Sequence, residues 1–275
     1  MKIETLSLNL PYEKLGANPA EVSLTGYILE NFKNYRQDET RPAVIICPGG
    51  GYGAISEHET APIAEAYIGA GISAFVLLYS IAPVRYPAQY IELCEAIATV
   101  RRHSAQWNID ENKIFVTGYS AGGHLAGCGA VLWDSPVARE YGYCDGINRP
   151  DGAILGYPVI SAAPEWGHIG SFENLLGTDA PPALLHYLSL ENRVSEKTPP
   201  VFLFHTRDDT VVPVSHSLVF ATQLQKNNIP FELHIYNRGW HGMSLATKRT
   251  AWNDALVLPH CSDWLAKSVE WMELL

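Results

Sequence analysis

Gly118-Tyr119-Ser120-Ala121-Gly122 sets a serine between two glycines in the pattern G-x-S-x-G. It follows a short apolar stretch, Lys113 to Thr117, that reads as a strand, and it precedes a helical run from Gly123 to Trp133. A strand that turns at once into a helix strains its corner residue and brings neighbouring chains too close for a β-carbon, which is the steric reason for the glycines. Such a corner presents Ser120 Oγ as a nucleophile for acyl transfer. A serine hydroxyl attacks poorly until a base takes its proton, so a histidine is required beyond it, near the end of a late strand. Of ten histidines, His241 in Gly239-Trp240-His241-Gly242 fits, shortly after a strand predicted over Phe231 to Tyr236. The base needs a carboxylate to fix its tautomer, and the chain order Ser, Asp, His places that acid between the two. His205-Thr206-Arg207-Asp208-Asp209-Thr210-Val211-Val212-Pro213 offers adjacent aspartates. Asp209 is the choice, two residues before Val-Val-Pro, which leaves Asp208 to cap or hydrogen-bond locally.

The tetrahedral intermediate carries an oxyanion, which needs donors fixed where that charge develops. The backbone N–H of Ala121, next to the nucleophile, is one source. The loop Pro48-Gly49-Gly50-Gly51-Tyr52 supplies the others, from Gly50 and Gly51. The same loop satisfies G-x-G-x-x-A over Gly49 to Ala54, but the acid that a dinucleotide site needs at the end of the next strand is missing, since that strand closes Leu77-Leu78-Tyr79-Ser80. His58-Glu59-Thr60 lacks the second histidine of a zinc protease and no Walker-type loop occurs, so no metal and no cofactor is expected.

The elements that must position these residues alternate. Leu24 to Leu29 reads as a strand, and Asn31 to Arg41 as a hairpin or surface loop. Ala43 to Cys47 and Ile72 to Tyr79 are continuous apolar runs of strand length, the pattern of strands buried on both faces. Ala61 to Ala70 and a run from Pro87 to Arg101 have helical spacing. Ala153 to Leu155, Val201 to His205 and Phe231 to Tyr236 continue the strands, with a helix over Ser215 to Gln225. The expected class is α/β, an open and mostly parallel central sheet with helices on both faces. One domain over residues 1–275 is expected, interrupted near 135–150 and 160–200 by stretches that read as insertions, either lids and binding loops or packed surface loops.

With 275 residues and 47% hydrophobic content, the chain has enough apolar material for a full core. Its 19 basic and 29 acidic residues give a net charge of −10, which repels a phosphate backbone and argues against a nucleic-acid partner. No stretch approaches the ~20 apolar residues that span a bilayer, and the N-terminus lacks the charged-then-apolar pattern of a secretory signal. Five scattered cysteines without CxxC spacing fit neither a disulfide framework nor a zinc site, so the expected location is the cytoplasm. A homo-oligomer stays open.

On Cys47-Pro48-Gly49-Gly50-Gly51-Tyr52, Ser120-Ala121-Gly122-Gly123-His124-Leu125-Ala126, Asp209 and His241, the chain resembles the α/β-hydrolase superfamily. Within it, the chain is similar to the acetylxylan-esterase-like carboxylesterases related to hormone-sensitive lipase, with Pro48 where many relatives carry histidine. The resemblance spans nearly the whole chain. It implies hydrolysis of short acyl esters, often acetyl groups on sugars or oligosaccharides, without metal or organic cofactor. The substrate it implies is therefore a small-molecule ester. Tyr52, Tyr79, Trp166 and Trp240 are candidates for the pocket wall, Tyr52 and Trp240 first among them as substrate-binding residues, and each serves equally as core or rim packing. His124 reads as a buried hydrogen-bonding residue. A peptidase like the catalytic domain of prolyl-oligopeptidase relatives shares the residue order, and a non-catalytic binding protein on the same fold is the remaining alternative; such proteins commonly lose a member of the triad, and here none is missing.

Overall fold

In β3 (Arg41–Cys47), Ala43, Ile45 and Cys47 point into one hydrophobic cluster, whereas Val44 and Ile46 point into another. Side chains alternate across a strand, so a run that is apolar at every position must be covered on both faces. The same division holds in β4 (Ser73–Leu78), with Phe75 and Leu77 on the first face and Ala74 and Val76 on the second. Each large side chain so buried contributes about 1.5–3 kcal/mol.

The computed structural model describes residues 1–34 and 36–275. Its sheet has eight strands in the order β1-β2-β4-β3-β5-β6-β7-β8. The others are β1 (Lys2–Leu6), β2 (Ser23–Ile28), β5 (Ile109–Tyr119), β6 (Gly152–Gly156), β7 (Val201–Thr206) and β8 (Phe231–Tyr236). β2 runs antiparallel to β1 and to β4, and every pair from β4 to β8 is parallel. The chain is thus α/β with a mostly parallel sheet, as expected.

The helices are α1 (Tyr12–Leu15), α2 (Ala61–Gly69), α3 (Ala88–Arg102), α4 (Ser104–Trp107), α5 (Ala121–Val131), α6 (Pro136–Glu140), α7 (Ile169–Leu176), α8 (Pro182–Leu188), α9 (Ser215–Lys226) and α10 (Trp264–Leu274). α3, α5 and α9 cover one face of the sheet; α2 and α10 cover the other through Ile63, Tyr67, Trp264, Trp271 and Met272. Among the described residues, no helix is long and apolar enough to cross a membrane.

Several boundaries differ from the sequence reading. β5 is eleven residues long rather than five, and α5 begins at Ala121, directly after the nucleophile candidate, not at Gly123. β1 has no counterpart in the reading. Residues 31–34 and 36–40 are turn and loop apart from an isolated bridge at Phe32, β3 starts at Arg41, and the part of that expectation falling on Tyr35 lies outside the described residues. The two presumed insertions carry helices of their own, α6 in the first and α7 and α8 in the second.

Candidate active site

Ser120 stands between β5 and α5 with φ 54° and ψ −121°, a left-handed backbone that only a tightly packed corner imposes on a side-chain-bearing residue. Its glycine neighbours are sterically required. A β-carbon on Gly118 would lie 2.0 Å from the Gly122 carbonyl oxygen, and one on Gly122 would lie 2.1 Å from that of Cys47. The corner places Ser120 at the C-terminal edge of the parallel strands, where the loops after β3, β6, β7 and β8 also converge.

The loops after β7 and β8 bring Asp209 and His241 to the serine. Ser120 Oγ lies 2.8 Å from His241 Nε2, and His241 Nδ1 lies 2.7 Å from Asp209 Oδ2. A carboxylate only accepts, so Nδ1 carries the proton and Nε2 is left to accept from the serine hydroxyl. Asp209 Oδ1 accepts from the N–H groups of Val211 and Val212, both at 2.9 Å, which fixes the carboxylate plane. Burial by itself raises the Asp209 pKa. Hydrogen bonds from His205 and His241 and the backbone amide of Val212 outweigh that and hold it well below the usual carboxylate range. Asp208 faces away from the relay: its Oδ1 accepts from Gly239 N–H at 2.9 Å, anchoring the loop that carries His241.

Gly50 and Gly51 line the same cavity as Ser120 and His241. Both have positive φ, and a β-carbon on Gly50 would lie 2.1 Å from the Ala54 carbonyl oxygen. Among the described residues, their N–H groups donate to no protein acceptor. Ala121 is the first residue of α5, so its N–H is also free of an intrahelical partner. Two backbone donors, at Gly50 and Gly51, therefore border the same cavity as the nucleophile, and the Ala121 N–H adjoins it in the chain, an arrangement that suits an oxyanion.

The cavity has a volume of about 620 Å³, within the usual range for pockets that hold drug-sized ligands. Trp240 lines it and is 65% exposed. The wall also includes residues that the sequence reading did not assign to a pocket, among them His58, Glu59, His168 and Trp252. Trp252 is 71% exposed, and His168 comes from the segment 160–200. His168 Nδ1 is paired with Ser171 Oγ at 2.8 Å, and burial together with the nearby His241 lowers its pKa.

Tyr52 is a correction. It is fully buried, not part of the cavity wall, and its hydroxyl meets His124 Nδ1 at 2.8 Å. A left-handed backbone at Tyr52, φ 61°, turns the ring inward just after Gly51. Tyr79 is also buried, donating to the Pro48 carbonyl at 2.6 Å, and Trp166 packs on His216. His124 is a buried hydrogen-bonding residue: its Nε2 meets the Leu188 carbonyl at 2.8 Å.

Burial pushes the His124 imidazole down from 6.5 to about 4, and burial with the neighbouring His205 takes His216 to about 3. Both folded values lie below the unfolded one, so as pH falls the unfolded chain takes protons that the native state excludes. Their contribution is full above pH 6.5 and is lost as pH falls toward 4 and 3. Each is expected to cost about 2 kcal/mol by pH 5, read as a falling urea midpoint between pH 7 and 5. A flat midpoint over that window contradicts the burial of neutral imidazoles.

The arrangement has solved counterparts. A crystal structure of an acetyl ester-xyloside bifunctional hydrolase from Caldicellulosiruptor lactoaceticus is 38% identical, with a TM-score of 0.84 over 98% of this chain and 96% of that one. The chain belongs to the α/β-hydrolase carboxylesterases. Two curated relatives of this carboxylesterase are longer. Endo-1,4-beta-xylanase B of Butyrivibrio fibrisolvens is 36% identical over 80% of this chain and 35% of its own length, and an acetylxylan esterase of Xylanibacter ruminicola is 30% identical over 74% and 42%. The carboxylesterase chain thus spans well under half of each. The BD-FAE family profile matches residues 29–140, which hold Gly50, Gly51 and Ser120. The prolyl oligopeptidase family profile matches residues 164–267, which hold Asp209 and His241.

Proposed function

We propose that the chain is a serine esterase that removes short acyl groups, acetyl above all, from sugars or oligosaccharides. The observation that carries this reading is the relay from Asp209 through His241 to Ser120, at 2.7 and 2.8 Å, beside the free amides of Gly50 and Gly51. Ser120 Oγ attacks the ester carbonyl carbon while His241 Nε2 takes its proton, and Asp209 holds the resulting imidazolium. The carbonyl oxygen becomes an oxyanion among the N–H groups of Gly50, Gly51 and Ala121. The tetrahedral intermediate collapses, the C–O bond to the alcohol breaks, and His241 returns the proton to the leaving oxygen. A water activated by His241 then attacks the acyl-enzyme and releases the acid, restoring Ser120.

The sugar part of the reading draws on the xylan-directed names of the relatives and on the cavity mouth. A cavity of about 620 Å³ far exceeds an acetyl group, and the two exposed indoles of Trp240 and Trp252 border it. Aromatic faces at the mouth of a largely apolar cavity suit the apolar face of a sugar ring. Five free cysteines fit a reducing compartment such as the cytoplasm. The prolyl oligopeptidase profile over the acid and base segment favours a second reading, a small peptidase.

Acetate release from acetylated xylo-oligosaccharides, measured beside p-nitrophenyl esters of increasing chain length and a prolyl p-nitroanilide, separates these readings. Fast acetate release is expected, with preference for short p-nitrophenyl esters and no anilide cleavage. Trp252→Ala is expected to lower kcat/KM on the sugar acetates by roughly tenfold, the worth of one aromatic stack, and to leave p-nitrophenyl acetate unchanged. Activity confined to the p-nitrophenyl esters removes the sugar, and anilide cleavage favours the peptidase.

A further inference from the structure

We propose that Glu59 is a positioning residue whose buried carboxylate ties the oxyanion loop to the loop that carries the base, holding the two at a fixed separation during turnover. This rests on the reading of Ser120, His241 and the Gly50–Gly51 amides as the acyl-transfer site. Glu59 closes the short 3-10 turn Glu57–Glu59 and is 1% exposed. Carboxylates are rarely buried without a cationic partner. Among the described residues, no lysine or arginine pairs with Glu59; the one basic side chain near it is His58, whose Nε2 lies 3.8 Å from Glu59 Oε1.

Its hydrogen bonds go to the machinery. Gly49 N–H donates to Glu59 Oε2 at 2.7 Å, and Tyr157 O–H donates to Glu59 Oε1 at 2.6 Å. Gly49 immediately precedes the two oxyanion glycines, so this bond fixes the first peptide plane of that loop. Tyr157 follows β6, and its ring packs edge-on against His241 with centroids 5.1 Å apart. The Tyr157 oxygen accepts from Ser244 N–H at 3.0 Å, three residues beyond the base, and Ser244 Oγ donates to the His58 carbonyl at 2.8 Å. The circuit closes on the residue next to Glu59. It joins three segments that are distant in sequence, around Gly49 to Glu59, Tyr157 and Ser244, and its two ends are the oxyanion donors and the imidazole.

A charge at this position is costly where an apolar side chain would fill the space. What the carboxylate supplies and an apolar group cannot is two acceptors aimed at two different loops. Oxyanion donors act through placement, and displacement by a fraction of an ångström is felt in the transition state more than in the ground state. The effect of losing Glu59 is therefore expected in kcat and not in KM.

The test compares Glu59→Ala, Glu59→Gln and Tyr157→Phe with wild type and Ser120→Ala, using p-nitrophenyl acetate and thermal melts on each. Glu59→Ala is expected to lower kcat by about 100-fold, the scale of losing one oxyanion donor, with KM within a few-fold. Glu59→Gln keeps an oxygen for Gly49 N–H and is expected to recover to within about tenfold of wild type. Tyr157→Phe keeps the Gly49 bond but frees the base loop, and is expected to lose about tenfold in kcat; it decides the matter if neither Glu59 variant folds. Folded Glu59 variants with wild-type kcat, a loss confined to KM, or glutamine no better than alanine would overturn the proposal, as would wild-type kcat in Tyr157→Phe. An active Ser120→Ala would instead remove the reading on which it rests.

Discussion

Ser120→Ala is expected to abolish ester turnover, lowering kcat by about 10⁴-fold or more, without changing the melting temperature. The size of the effect follows from the relay: with Oγ removed, His241 has no proton to take and no covalent intermediate can form. What survives is the oxyanion pocket and substrate binding, which alone give only a small residual rate. The fold is expected to persist because the Ser120 hydroxyl has His241 as its partner and supports nothing else in the core. The strained backbone is held by Gly118, Gly122 and the Ser120 N–H bond to the Gly156 carbonyl, which alanine leaves in place. Steady-state kinetics with p-nitrophenyl acetate and a thermal melt check both halves.

Gly122→Ala is expected to have the largest effect on stability. Its β-carbon would stand 2.1 Å from the Cys47 carbonyl oxygen and 2.3 Å from that of Pro48. Both obstacles are backbone at the end of β3, in the middle of the sheet, so no side chain can swing aside. Relief requires α5 to lift from the sheet or the oxyanion loop to shift, and either movement separates Ser120 from its donors. A loss above about 4 kcal/mol is expected, a fall of roughly 10 °C in melting temperature for a chain of this size, together with loss of activity. Gly69→Ala is the matched control: nothing lies within 4 Å of its β-carbon position, and the melt should stay put or rise slightly. An equally stable Gly122→Ala protein would refute the close-approach account of the corner.

The centre of the sheet is legible in the sequence because Ala43 to Cys47 and Ile72 to Tyr79 are apolar at every position, and only a strand covered on both faces uses such a run. β1 is not legible for the opposite reason. Lys2-Ile3-Glu4-Thr5-Leu6 is short, loses its alternation at Thr5 and Leu6, lies at the sheet edge and is mostly exposed, so its pairing with β2 decides its structure rather than its own pattern. In 160–200 the helix α8 is hidden by Pro181 and Pro182, which open it instead of breaking it.

At the site, the G-x-S-x-G corner is local and carries its own steric signature. Ser120, Asp209 and His241 meet because each follows its own parallel strand, an arrangement that chain order and strand ends encode. Tyr52 shows the limit of adjacency: it follows Gly51 in sequence, yet its left-handed backbone sends the ring to His124 and away from the cavity. His168, Trp252 and Glu59 have no local motif, and their contacts depend on loops that pack only after the sheet forms.

The most direct test of the central claim is covalent trapping with diethyl p-nitrophenyl phosphate, followed by intact mass and peptide mapping. A single diethylphosphoryl adduct on the peptide bearing Ser120, forming in step with loss of esterase activity and absent from Ser120→Ala, is the predicted result. Stoichiometric modification elsewhere, or full activity in protein that carries the adduct on Ser120, would contradict it.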